Sequence, residues 1–180
     1  MSDPFDDLTA LEDHVWGRLD RGAAVSDDPF RYVTLATMGA AGPEARVVAI
    51  RRAVREAGEV EIHSDRRTAK IRAIEVEPRA ALLFWDSETQ MQLRLSVTMR
   101  LLEAEPERWS RIPDFARRNY GTDPAPGTPV GAPEDVTRSP EIARFAALVG
   151  RVRAIDALSL AHESHRRARF DANGAVWVAP

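Results

Sequence analysis

The 180-residue chain contains no cysteine, which excludes disulfides, thiolate metal centres and cysteine nucleophiles together. It has no long hydrophobic run. The longest wholly apolar stretch, residues 80–85, falls far short of the roughly 20 residues that a membrane span requires. The amino terminus, MSDPFDD, is acidic where a signal peptide would be basic and then apolar. Lysine is almost absent: of 25 basic residues only Lys70 is lysine, leaving 24 arginines. There is no basic excess either, since the net charge is −3, and this argues against a duplex nucleic-acid binder. Glycine-rich phosphate loops, HExxH and GxSxG are missing. The four histidines show no metal-ligand spacing with carboxylates, and no acidic pair stands out as catalytic. These absences predict a soluble, cytoplasmic, single-domain protein spanning residues 1–180, with no metal, membrane or nucleic-acid partner.

What is present is an ordinary globular mix, 44% hydrophobic and 29% charged. A chain of this length buries roughly two-thirds of its unfolded surface without a metal or disulfide staple. Phe5 to Arg21 reads as an amphipathic helix, followed by a linker to residue 28. Three strands follow in a meander, Phe30–Thr37, Glu44–Val54 and Glu59–His63, punctuated by glycine-rich turns. Asp65 is placed to cap a short helix, RRTAKIRAIEVEP, stopped by Pro78. Arg79–Asp86 is apolar enough to be buried on both faces. From Gln90 to Leu101 strict alternation predicts a strand with one face in a core. Its polar face aligns Gln92, Arg94 and Ser96. Glu105–Asn119 is expected as a helix interrupted near Pro113. Residues 121–140 hold five of the 12 prolines and read as a long loop. Pro140–Leu148 is expected as a short helix, and Val149–Leu158, Arg166–Asp171 and Ala175–Val178 as strands. Strands dominate, so the fold class is α+β, an antiparallel sheet most economically closed into a barrel.

One segment concentrates chemistry. In IHSDRRTAK a strand ends, hydroxyl and basic residues follow, and a helix begins. Ser64, Arg67, Thr68 and Lys70 then cluster at a helix amino terminus, where free N–H groups and the macrodipole favour an anion. The alternative is an exposed helix cap with solvated arginines. Arg46 and Arg51 bracket an apolar strand core, so at least one must leave it. The run His165-Arg166-Arg167-Ala168-Arg169 is basic and suits a phosphorylated small molecule, solvent or RNA.

The joint spacing of RVVAIR, IHSDRRTAK, a helix ending EP, RAALLFW and TQMQLR resembles the pyridoxamine 5′-phosphate oxidase family. The resemblance runs from about Arg46 to Arg94 and resumes weakly from HRRARF to WVAP. It implies a split β-barrel, a homodimer with FMN at the subunit interface, and a flavin-dependent oxidoreductase acting on a small-molecule substrate. Carried over by position, Arg46, Val47, Val48 and Arg51 run beside the flavin, with Arg46 toward its phosphate. His63 and Ser64 match the family's aromatic-Thr pair, Thr68 its Ser, and Lys70 its phosphate-contacting lysine. Arg67 replaces the charge of the family arginine that is Ala69 here. Gln92 matches the flavin-bonding glutamine and Arg169 a late arginine near the ring. Arg94, His165 and Arg167 are the candidates for substrate binding. The family's vitamin-substrate motif has no counterpart in residues 121–140, so the chain resembles a divergent branch, not the oxidase itself. The rival expectations are a module that holds flavin or another phosphorylated ligand without turnover and, more remotely, an RNA-binding surface.

Overall fold

The computed structural model describes residues 3–180. β1 (Tyr32–Gly39), β2 (Gly42–Val54) and β3 (Glu59–Asp65) form the expected antiparallel meander. Its turns depend on Gly42 (φ +125°) and Gly58 (φ +61°), backbone states that glycine enters without a Cβ clash. After helix α2 (Ala69–Val76), β4 (Arg79–Asp86) pairs with β1, and β5 (Met91–Glu103) pairs with β4. Two short helices, α3 (Pro106–Ser110) and α4 (Asp114–Arg117), lead to a two-residue ribbon of β6 (Thr122–Asp123) and β7 (Thr137–Arg138). β8 (Phe145–Ser159) then pairs along β5 and, through its first half, with β3. This closes β3-β2-β1-β4-β5-β8 into a six-stranded antiparallel barrel. The second half of β8 instead carries β9 (Arg166–Asp171), which pairs with β10 (Gly174–Val178). The result is a split barrel with peripheral helices.

The core follows from alternation. On β5, Met91, Leu93, Leu95, Val97 and Met99 point inward, joined by Leu35, Ile50, Ile62, Leu82 and Phe84 from the other strands. Helix α1 (Leu8–Ala24) packs against β2 through Leu11, Val15, Trp16 and Leu19. Each such side chain contributes about 1.5–3 kcal/mol of burial.

Five expectations are corrected. Helix α1 starts at Leu8 instead of Phe5, because the Asp7 carboxylate accepts the Ala10 N–H at 2.8 Å and caps it there. Phe5 sits in a preceding 3₁₀ turn and is buried. Helix α2 starts at Ala69, since Asp65 accepts the Arg67 N–H in the turn and Thr68 takes the cap position. The Glu105–Asn119 helix is two single-turn pieces, split at Pro113, which has no N–H to continue the ladder. The Pro140–Leu148 helix is a 3₁₀ turn, Ile142–Arg144, running into β8, and every residue from Phe145 to Gly150 is buried between two strand neighbours. β4 is not buried on both faces: Leu82 and Phe84 are sealed, while Leu83 and Trp85 are 39% and 45% exposed.

Candidate functional site

The predicted residues divide among three places. The first lies where β3 gives way to α2. Strand alternation sends Ser64 to one face and His63 to the other. Lys70 Nζ donates to Ser64 Oγ at 3.2 Å, and Ser64 Oγ lies 3.1 Å from Thr68 Oγ1. Arg46, on β2, donates to Thr37 Oγ1 at 2.6 Å and to the Leu35 carbonyl at 3.3 Å. Its other nitrogen pairs with the half-exposed Glu44. Burial and the facing Arg46 guanidinium push the Lys70 ammonium below its ordinary value, opposed by Asp65. Lys70 makes no salt bridge among the described residues. Thr68 leaves the start of α2 without a side-chain cap, so the first helical N–H groups remain as donors there. Two cations, two hydroxyls and a helix amino terminus therefore converge without a carboxylate on Lys70. That donor set suits a phosphate monoester. Arg67 is not part of it: its fork grips Asp65 through Nε and Nη2 at 3.0 and 2.7 Å, and Nη2 also donates to the Thr122 carbonyl.

The second place is the outer face of the barrel. Val47, Thr34, Leu83 and Arg94 form one cross-strand row that continues to Asp156 and Arg169. Trp85 stands opposite Gln92, which in turn stands opposite Leu158. Asp156, nearly buried, accepts Arg94 at 2.6 Å and both arms of the Arg167 fork at 2.9 and 2.8 Å. Those guanidiniums, Arg167 first, hold its carboxyl below the usual range. Arg169 has only a 3.9 Å approach to Asp171. Val48 faces inward against the core. His165 lies apart, lining a cleft with Phe5, Asp6 and Trp177.

The third place is a cavity of about 380 Å³ beside the middle of β2. A register shift between Ile50 and Arg52 marks a bulge in the β2–β3 pairing. The bulge turns Arg51 and Arg52 to the same cavity, where strict alternation would send them apart. Arg31, Arg108 and Arg111 bring three more guanidiniums, and Glu61 the one carboxylate. Arg31 donates only to the Ala23 and Ile50 carbonyls, and its burial beside Arg51 lowers its pKa. The buried Tyr120 phenol is raised by desolvation, and the nearby Arg51 charge opposes that shift. Ala23, Ile112, Pro113 and Ala116 supply apolar wall. Of this cavity the sequence singled out only Arg51 and His63. Arg31, Arg52, Glu61 and Tyr120 come from separate elements, and Arg108 and Arg111 from one short helix and its end, so no common motif spans them.

Comparison with known proteins agrees with the split-barrel fold. Among solved structures, the chain is similar to a pyridoxamine 5′-phosphate oxidase-related, FMN binding protein from Nostoc punctiforme PCC 73102. The two share 24% identity over 93% of this chain and 96% of that one, with a TM-score of 0.77. It is also similar to PhzG from Burkholderia lata 383, crystallised with tetrahydrophenazine-1-carboxylic acid. There the identity is 18% over 100% and 98% of the chains, with a TM-score of 0.73. A general stress protein 26-related protein from Clostridium acetobutylicum aligns at 13% identity over 91% and 94%, with a TM-score of 0.57. No curated protein matches the chain by sequence. The sequence pattern of the pyridoxamine 5′-phosphate oxidase FMN-binding domain matches residues 14–103, half of the chain. That stretch contains Arg46, Ser64, Thr68, Lys70 and Gln92, and the chain belongs to the pyridoxamine 5′-phosphate oxidase family.

Proposed function

We propose that the protein binds FMN and works as a flavin-dependent oxidoreductase on a small organic anion. The observation that carries this reading is Lys70. The chain's single lysine is half-buried, hydrogen-bonds only the Ser64 hydroxyl and faces a second cation. Burying a cation there costs free energy unless an anion completes the site. Arg46, Ser64, Thr68 and Lys70 would hold the FMN phosphate, and bound FMN would supply two-electron chemistry at its ring. The protein's own residues anchor, orient and shield. The arginine-lined cavity reached by Arg51 is the substrate site in this reading, because three of its guanidiniums, Arg31, Arg51 and Arg52, have no carboxylate partner among the described residues.

A homodimer belongs to the same proposal. Tyr32, Met38, Val47, Leu83 and Trp85 expose a continuous apolar face on β1, β2 and β4, beside Gln92 and Arg94. Such a face on a sheet is the kind of surface a second copy covers. A partner docked there would bring its own arginines toward the flavin.

The test is a fluorescence titration of purified protein with FMN, together with the absorption spectrum of any ligand that co-purifies. Saturable quenching with one FMN per chain is expected. Protein that stays colourless and leaves flavin fluorescence unchanged would remove the proposal. Anaerobic reduction of the bound flavin by NAD(P)H then separates an enzyme from a module that only holds flavin.

A further inference from the structure

The arginine-lined cavity contains one imidazole, that of His63, and the chain orients it on three sides. His63 Nε2 lies 2.8 Å from Glu61 Oε1, and Glu61 Oε2 accepts Arg108 Nε at 3.0 Å. Phe145 stands edge-on to the imidazole at 4.9 Å between centroids, and Tyr120 at 6.3 Å. The Glu61 carboxyl is held below its ordinary value by His63 and Arg108 against the cost of burial, so it is an ionised acceptor. An acceptor-only partner places the imidazole proton on Nε2 and the lone pair on Nδ1. Nδ1 has no protein partner among the described residues, yet it is not sealed from solvent. The basic nitrogen is therefore free to exchange a proton in a cavity that His63 lines.

We propose that His63, steered by Glu61, is the proton-exchanging group of this cavity, and that an organic anion with an apolar body draws a proton onto His63 Nδ1 as it binds. The inference rests on reading the cavity as the substrate site.

The surrounding charges give the coupling its sign. Arg51 and Arg52 line the cavity from β2, Arg31 from the turn before β1, Arg108 from α3 and Arg111 from the residue that ends that helix. Glu105 and Glu107 pair with Arg108 and Arg111, so the uncompensated charge is that of Arg31, Arg51 and Arg52, and it opposes a further positive charge on the imidazole. A bound anion offsets that field and favours the imidazolium, which Glu61 then stabilises across Nε2. Binding and protonation are reciprocal, so protonated His63 binds the anion more tightly by the same factor. No other group in the cavity can produce this response. Arginine stays charged, and the buried Tyr120 phenol stays neutral because desolvation raises it. The apolar wall of Ile112, Pro113 and Ala116 suits a ring or alkyl body beside the charged end.

The experiment uses benzoate, which stays ionised across the range, titrated calorimetrically into FMN-saturated protein from pH 5.5 to 8.5. FMN occupies the phosphate nest first, so the probe cannot report on Lys70. Wild-type protein is expected to bind benzoate about fivefold or more tightly at pH 6 than at pH 8. His63→Gln should bind it with a flat profile, and Glu61→Gln should keep the pH dependence but move it to lower pH. Thermal melts of both variants confirm folding. Equal affinity at pH 6 and 8 in the wild type, a His63→Gln protein that retains the dependence, or no benzoate binding at either pH overturns the assignment. FMN saturation is read separately from flavin fluorescence, so failure here is distinct from failure of the flavin site.

Discussion

At the scale of single residues, Lys70 opposes function to stability. Its ammonium is half-buried near Arg46 and hydrogen-bonds only a hydroxyl, so removing it relieves a partly desolvated like-charge pair. Lys70→Ala should leave the flavin-free protein at least as stable to heat. The same change should weaken FMN binding by about 1.5–3 kcal/mol, roughly 10- to 150-fold, through loss of a charged hydrogen bond. Fluorescence titration and thermal melts of one preparation check both halves, and an unchanged affinity would reduce Lys70 to a helix residue. Asp156 works in the opposite direction. It is nearly buried and neutralises Arg94 and Arg167 together. Both guanidiniums are partly solvated, which discounts the pair, so Asp156→Asn should cost about 1–3 kcal/mol of stability in urea unfolding. Its folded pKa is lowered from 3.8, so its contribution is fully present above that value and lost as pH falls below it. The wild-type and Asp156→Asn stabilities should therefore converge in that acid range.

At the scale of elements, β5 was legible because its residues from Met91 to Leu101 alternate without interruption and one face must be dry. The meander β1–β3 was legible for the same reason, helped by glycine at its turns. β8 was half hidden. Phe145–Gly150 is apolar without alternation because strands lie on both sides and both faces are covered, and Ala146, Ala147 and Leu148 are equally at home in a helix. β4 misled in the other direction: its continuous apolar run reads as doubly buried, yet Leu83 and Trp85 emerge on the barrel's outer face. The clustering of Ser64, Thr68 and Lys70 was legible because they sit within one strand-to-helix junction, with Arg46 joining them from β2. The cavity was not, because it depends on a bulge that re-aims Arg51 and on side chains from five separate segments. The exposed run on β4 carries its own prediction. Trp85→Glu places a charge in the middle of the proposed subunit contact, while the residue's solvent-facing position leaves the barrel core untouched. Light scattering at micromolar concentration should show a dimer for the wild type and a monomer for the variant. A variant that still elutes as a dimer would place the contact on another face.

At the scale of the whole molecule, ligand binding and stability become one measurement. FMN that binds only the folded chain stabilises it by about 2.7 kcal/mol at a hundredfold excess over Kd. A chain of this length gains about 2–4 °C per kcal/mol, so Tm should rise by about 5–11 °C. The gain should climb logarithmically with FMN, and riboflavin should reproduce little of it, if the cluster of Arg46, Ser64, Thr68 and Lys70 holds the phosphate as proposed. If the flavin also bridges two copies across the β1–β4 face, Tm in FMN should rise with protein concentration as well, and Trp85→Glu should abolish that second dependence. A riboflavin shift equal to that of FMN would mean that the strand-to-helix junction does not hold the phosphate, whatever the ring does elsewhere on the barrel.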